Sequence, residues 1–152
     1  MNGFAVCETK KSSWGAPKDP RPALGAEGER RVLAQLQKAG WQLIAHRSKV
    51  AGVELDLLLA KGRRVAIVEV KTRRREIGQG AEFLSQAQHL RLQLAAARLL
   101  AKGATALPPQ ARRAYPKRTL GIELWLASCT LASPESPQAR LRFFELPAID
   151  TP

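Results

Sequence analysis

Two short apolar runs joined by a charged tip lie in the middle of the 152-residue chain. The first run is Leu55–Ala60, the second is Val65–Val70, and residues 61–64 between them read KGRR. Short runs rich in Leu, Val and Ile are typical of strands that are buried on both faces. A glycine in a short polar connection favours a tight turn between them. The segment therefore predicts an antiparallel β-hairpin around which the chain is organised.

Charged residues interrupt both of these apolar runs. Asp56 lies among leucines, Glu69 lies among valines, and Lys71 follows Glu69 by two residues. An ionised side chain in an apolar strand is costly unless it is paired, hydrated or bound to a metal ion. Side chains alternate along a strand, and neighbouring strands lie about 4.8 Å apart. Asp56 and Glu69 can therefore converge on one metal ion with Lys71 beside them, and Glu54, on the same face as Asp56, is a secondary candidate.

The pattern of Asp followed by Glu-x-Lys on paired strands resembles the core of the PD-(D/E)XK nuclease superfamily. The longer string resembles the YraN family of proposed endonucleases, which is related to archaeal Holliday-junction resolvases. That family has a pattern close to GGEIDLI followed by FVEVKTR. Here it stands as GVELDLL at residues 52–58 and IVEVKTR at residues 67–73, with Val53 in place of the second glycine.

The resemblance covers about residues 24–147 and implies an α/β fold with a restriction-endonuclease-like core, a mixed β-sheet flanked by helices. It implies that Asp56 and Glu69 hold Mg²⁺ or Mn²⁺, with the carbonyl of Val70 as a further ligand. Lys71 would orient the attacking water or stabilise the charge that develops on the phosphate. Glu29 matches a glutamate that is commonly an outlying acidic member of the site in resolvase relatives. The implied activity is hydrolysis of phosphodiester bonds in DNA, branched DNA included.

The charge of the chain points to a polyanionic partner. Lys and Arg number 25 against 13 Asp and Glu, which gives a net charge of +12 and an isoelectric point near 10.7. Such an excess favours nucleic acid, and arginine clusters hold its backbone without reading its sequence. Two of these clusters flank the predicted hairpin. The residues predicted to contact nucleic acid are Arg63, Arg64, Arg73, Arg74 and Arg75.

Composition argues against several other classes of protein. No apolar run is long enough to span a bilayer, and the first residues lack the apolar stretch of a signal peptide. We therefore expect a cytoplasmic protein without a membrane partner. Cys7 and Cys129 give neither a disulfide framework nor a zinc-binding pattern.

The length of the chain predicts one domain, at residues 24–147, between a disordered basic arm at 1–23 and a short tail at 148–152. In the first predicted helix, 24–40, the helical period turns Glu29 toward the sheet and Glu27 toward solvent. Residues 41–47 predict a strand and 48–52 a loop. Further strands are predicted at 120–130 and 140–146, and residues 104–117 form a connection. The second predicted helix, 81–102, has a core stripe of Phe83, Ala87, Leu90, Leu94, Ala97 and Ala101.

Three hypotheses account for the acidic residues. The first is a metal-dependent endonuclease. The second is a non-catalytic nucleic-acid-binding protein that retains the fold, which predicts a basic surface but no metal affinity. The third makes Asp56, Glu69 and Lys71 a structural ion-pair network, a common alternative for clustered charges. Because resolvase relatives are often dimers, a homodimer is one of the expected states.

Overall fold

The computed structural model describes residues 21–74, 84–134 and 137–148. Five strands form one sheet in the order β1-β2-β3-β4-β5, with helices on both faces. A 3₁₀ helix, Gly103–Ala106, follows the second helix. The helices are α1 (Arg21–Lys38), α2 (Gln86–Lys102) and α3 (Pro109–Arg112), and the strands are β1 (Gln42–Val50), β2 (Val53–Lys61), β3 (Arg64–Arg73), β4 (Gly121–Thr130) and β5 (Arg140–Leu146).

The sheet is mixed. Strands β1, β2 and β3 run antiparallel to one another, β3 runs parallel to β4, and β5 returns antiparallel to β4 at an edge of the sheet. The parallel pair requires a crossover, and α2 lies within it. This arrangement confirms the predicted α/β fold, and it is consistent with a restriction-endonuclease-like core.

The central hairpin is buried on both faces, as its apolar runs predict. Residues 57–60 of β2 and 65–68 of β3 are all buried. Helix α1 covers one face through Val32 and Leu36, and α2 and α3 cover the other. Both faces of a strand must be apolar when helices cover both sides of a sheet, which explains why these runs do not alternate.

Helix α1 lies unusually close to β3 because of Gly28. A Cβ atom at this position would overlap Thr72 Oγ1. The contact holds the first half of α1 against the end of β3, and it turns the next residue, Glu29, toward the sheet. Glu29 is 7% exposed, which confirms the predicted helical phase.

The predicted core stripe of the second helix is wrong. Leu90 and Leu94 are 57% and 52% exposed, Ala87 and Ala101 are also exposed, and Phe83 lies outside the described residues. The sequence of α2 is apolar on two opposite faces, so periodicity alone does not choose between them. The sheet packs against the face with two adjacent alanines, which permits a close approach. The buried residues of α2 are Leu92, Ala95, Ala96 and Leu99.

Other element boundaries differ from the predictions near turns. Strand β1 continues to Val50, so residues 48–50 are not a loop. Ala51 and Gly52 have φ angles of 55° and 78° and form the two-residue turn into β2, as in hairpins whose central residues are left-handed. Helix α1 begins at Arg21, within the predicted arm, and residues 1–20 lie outside the described part of the chain. Among the described residues, no helix combines the length and apolar character that a membrane crossing requires.

Candidate active site

Strands β2 and β3 part beside the two acidic residues. Their paired residues run from Lys61 and Arg64 at the tip to Leu57 and Val68. The next residues on the two strands are Asp56 and Glu69. There Asp56 Oδ2 accepts a hydrogen bond of 2.8 Å from the Val70 backbone N–H, which a strand carbonyl would otherwise satisfy. The Asp56 carboxylate has therefore taken the place of a backbone carbonyl acceptor between β2 and β3.

Asp56, Glu69 and Lys71 come together at this point. The carboxyl groups of Asp56 and Glu69 are within hydrogen-bonding range of each other. Lys71 Nζ lies 3.8 Å from Glu69 Oε1, and the side chains of Lys71 and Glu69 are 24% and 16% exposed. The shared face of these two residues agrees with their spacing along β3. The carboxyl groups of Asp56 and Glu69 therefore both lie close to the Lys71 ammonium.

The electrostatics of this pair differ from those of an ordinary ion pair. Burial, followed by the charge of Asp56, raises the pKa of Glu69 from 4.5 to about 8, despite the opposing charge of Lys71. Burial also raises the pKa of Asp56, although the Val70 N–H opposes that shift. At neutral pH without a further cation, the pair therefore retains a proton.

Glu29 lies next to this pair but is bound by two residues of β1. Its Oε1 lies 2.6 Å from His46 Nε2 and accepts a bond of 3.0 Å from Arg47 Nε, while Oε2 accepts a 3.3 Å bond from Arg47 Nη2. The charge of Glu29 raises the pKa values of both Asp56 and Glu69, so the three carboxyl groups are close neighbours. Its oxygens, however, face donors of the protein.

Arg47 has a left-handed backbone in the interior of β1, with a φ of 51°. Its neighbours His46 and Ser48 pair with Leu57 and Leu55, so the residue of β2 at the level of Arg47 is Asp56. Such a conformation is uncommon outside glycine and costs on the order of 1 kcal/mol or more. The sequence did not predict that His46 and Arg47 belong to the site. Recognising the β1–β2 turn at Ala51-Gly52 would have placed them level with Asp56.

The donor atoms at this point suit a hard divalent cation. Asp56 and Glu69 supply carboxylate oxygens, and the Val70 carbonyl is the third predicted ligand. Mg²⁺ is usually held by one or two carboxylates and keeps several waters, so this small donor set is compatible with it. Across the described ranges, no group of three or more His, Cys, Asp or Glu side chains forms a ready metal site. The negative charge that this pair develops on ionisation fits a bound cation.

The predicted arginines divide into two groups. Arg64 lies at the hairpin tip, about 16 Å along β3 from Glu69 at about 3.3 Å per residue. Its guanidinium donates bonds of 2.8 and 2.9 Å to Glu123 and lies 4.9 Å from the ring centroid of Trp41. Arg63 is exposed at the same tip. Arg73, which is half-buried, and exposed Arg74 lie at the acidic end of β3, and Arg75 lies outside the described residues.

The secondary candidate, Glu54, is exposed on β2 and pairs in register with Lys49. Its charge acts on Arg47, whose pKa is raised mainly by the hydrogen bond to Glu29 and less by Asp56 and Glu54. Glu54 therefore lies at the rim of the site.

Comparison with known proteins identifies a family. Residues 28–119, more than half of the chain, match a family described as "Uncharacterised protein family UPF0102". A UPF0102 protein of Prochlorococcus marinus (strain MIT 9313) is 53% identical over 51 residues, which are 34% of this chain and 40% of the relative. One of Sorangium cellulosum (strain So ce56) is 40% identical over 70 residues, 45% of this chain and 49% of the relative.

A longer match involves a UPF0102 protein of Janthinobacterium sp. (strain Marseille), 32% identical over 97 residues, 63% of this chain and 77% of the relative. In the strongest matches, by contrast, the chain spans about half the length of the curated relatives. The family match includes Glu29 and the whole acidic hairpin. The chain therefore belongs to the uncharacterised protein family UPF0102.

Proposed function

We propose that this protein is a metal-dependent endonuclease that hydrolyses phosphodiester bonds in DNA. The observation that carries the proposal is the half-buried pair of Asp56 and Glu69 where β2 and β3 part. Burial and mutual repulsion raise the pKa of Glu69 to about 8, and a bound divalent cation would relieve that repulsion. The likeness of the surrounding residues to the PD-(D/E)XK and YraN patterns supports the same conclusion.

Asp56 and Glu69, with the carbonyl of Val70, would hold Mg²⁺ or Mn²⁺. When bound, such an ion polarises a phosphate and lowers the pKa of a bound water. Lys71, whose ammonium is 3.8 Å from Glu69, would orient the attacking water or stabilise negative charge on the phosphate. The Val70 N–H fixes one oxygen of Asp56, which leaves the other oxygen available to a ligand.

DNA is the proposed substrate because of the charge of the chain and its distribution. The net charge of +12 favours a polyanion. Arg74 is exposed at the acidic end of β3, where it can contact a backbone phosphate. Contacts of this kind position a nucleic acid without reading its sequence.

The test compares Asp56→Asn and Lys71→Ala with wild type in calorimetric metal titrations and in cleavage of linear and branched DNA. Asparagine keeps an oxygen that can accept the Val70 hydrogen bond but removes an anionic ligand. We expect D56N to lose metal binding and cleavage while its metal-free DNA affinity is equal or slightly higher. K71A should stop cleavage and leave metal binding largely intact.

The matched control is Glu123→Gln, which changes a carboxylate that Arg64 already satisfies and should leave both metal binding and cleavage unchanged. Wild-type protein that binds no Mg²⁺ or Mn²⁺ at millimolar concentration, even with DNA present, would contradict the nuclease. DNA binding without metal binding or cleavage would favour a non-catalytic binding protein. Loss of thermal stability as the main effect of both variants would favour a structural ion-pair network.

A further inference from the structure

A cluster of three side chains beside the acidic pair has no role in the mechanism above. It consists of Glu29 on α1 and of His46 and Arg47 on β1. The side chain of Glu29 is 9% exposed, whereas those of His46 and Arg47 are 48% and 43% exposed. A buried carboxylate thus holds two donor side chains from beneath while much of each remains open to solvent.

Both donor side chains keep unused hydrogen-bonding capacity. A guanidinium has five N–H donors in a planar fork, and Glu29 uses those on Nε and Nη2 of Arg47. The imidazole of His46 meets Glu29 through Nε2, and among the described residues its Nδ1 is left for another partner. A planar fork that one carboxylate already orients is well suited to bind phosphate oxygens.

A purely structural ion pair does not explain the backbone of Arg47. On the outer face of α1, Glu27 pairs with Arg30 and Arg31 one helical turn away, and that arrangement requires no unusual conformation. Arg47 reaches Glu29 from a left-handed residue within a strand. Strained residues of this kind cluster at ligand-binding sites, where the surrounding structure maintains them.

We propose that His46 and Arg47 bind a phosphate of the nucleic-acid backbone, and that Glu29 is a positioning residue that holds them in place. The nature of this ligand as a phosphodiester rests on the proposed function. Arg47 is near enough to Asp56 for their charges to interact, so a phosphate bound here lies next to the acidic pair. The guanidinium of Arg47 also offsets the repulsion between that phosphate and the carboxylates.

The first experiment measures binding of a short DNA duplex in EDTA, over a range of salt concentrations, without any requirement for cleavage. Arg47→Asn removes the charge and suits a left-handed backbone, because asparagine tolerates positive φ. We expect R47N to weaken binding about tenfold and to reduce the slope of log affinity against log salt by about 0.9, as for one lost phosphate contact. Arg47→Lys should restore the slope but not the full affinity, because lysine lacks the fork.

The matched control for this experiment is Arg31→Ala, which removes an arginine that pairs with Glu27 on the outer face of α1. Its effect on affinity and slope should be small. If R47N and R31A change DNA binding equally while both remain folded in thermal melts, the phosphate site is wrong.

The second experiment tests the role of Glu29 by Glu29→Gln. If Glu29 is a positioning residue, E29Q should bind metal like wild type. R47N should also cost much less DNA affinity in an E29Q background than alone, because Arg47 is no longer held there. A tenfold or larger loss of metal affinity in E29Q would make Glu29 a metal ligand and overturn its proposed role. Wild type without metal binding or cleavage, but with the R47N effect intact, would contradict the nuclease and still support the phosphate site.

Discussion

Two carboxylate–cation pairs at opposite ends of β3, Glu123 with Arg64 and Glu69 with Lys71, show opposite electrostatic behaviour. At the hairpin tip, hydrogen bonds from Arg64 lower the pKa of Glu123. At the other end of β3, burial and the charge of Asp56 raise the pKa of Glu69 to about 8 although Lys71 is close. The same residue type in the same sheet is thus held ionised at one end and pushed toward protonation at the other.

The difference comes from the geometry and number of the partners. Arg64 offers Glu123 two bonds of 2.8 and 2.9 Å in a fork, whereas the Lys71 ammonium is a single charge at 3.8 Å from Glu69. Glu69 also faces a second carboxyl group and is more deeply buried. A compensated pair contributes to structure, and an uncompensated one favours the binding of a cation.

The largest expected effect is on the cleavage rate, and it distinguishes the two ends of β3. Asp56→Asn should lower metal-stimulated cleavage by about a thousandfold or more, on the order of 4 kcal/mol in the barrier at 1.36 kcal/mol per factor of ten. Glu123→Gln should change it less than about twofold. Cleavage rates of both variants at saturating Mg²⁺ measure this contrast, and equal losses in the two variants would remove the distinction between the ends.

The second prediction concerns pH without metal. Glu69 has a pKa of about 8 in the folded protein against an ordinary 4.5, so between these values the folded state binds more protons than the unfolded state. The free energy of unfolding should therefore fall as pH rises from about 4.5 to about 8, by at most about 5 kcal/mol. Urea denaturation at several pH values measures this.

Glu69→Gln should flatten that pH profile, because glutamine cannot ionise. Mg²⁺ should stabilise the wild type most near pH 8, at the upper end of this pH range. The Glu123→Gln variant should keep the wild-type slope over the same range. A wild-type stability that rises with pH through this window would show that the pair is compensated after all.

The third prediction concerns the contact that holds α1 against the acidic end. Gly28→Ala should destabilise the protein by about 1–3 kcal/mol, because its methyl group would overlap Thr72. Gly25→Ala on the same helix has open space around it and should stabilise by about 0.5–1 kcal/mol. Thermal or urea unfolding of the two variants measures the difference, and a tolerated G28A would mean that α1 does not fix the position of Glu29.

The smallest expected effect is at the tip. Arg64→Ala removes the bonds to Glu123 and the contact with Trp41, and it should cost about 0.5–1 kcal/mol of stability because both charged groups are partly exposed. Its metal-free DNA affinity should change less than that of Arg74→Ala, because the guanidinium of Arg64 is already engaged. A larger loss of DNA binding in R64A than in R74A would place the nucleic acid at the tip.

Several features of the site could be predicted from sequence because they depend on local periodicity. Alternation along a strand places Glu69 and Lys71 on one face, and the helical period turns Glu29 inward; both predictions are confirmed. The roles of these residues in metal binding and catalysis stay predictions. Periodicity did not place His46 and Arg47 near Glu29, because residues 17 and 18 positions apart meet only when α1 packs on the sheet.

The order of residues along the chain was enough to predict the central hairpin, the strands around it and the residues that share a face, because these follow from steric periods of 2 and about 3.6 residues. Which apolar face of α2 is buried depends on packing against the sheet, since Leu90 and Leu94 are as apolar as the residues that are covered. Tertiary packing also brought Arg64 to Glu123, 59 residues away, and Arg47 to Glu29, 18 residues away. Charge pairing between distant segments depends on strand register and on how the helices pack, and neither has a local signal in the chain.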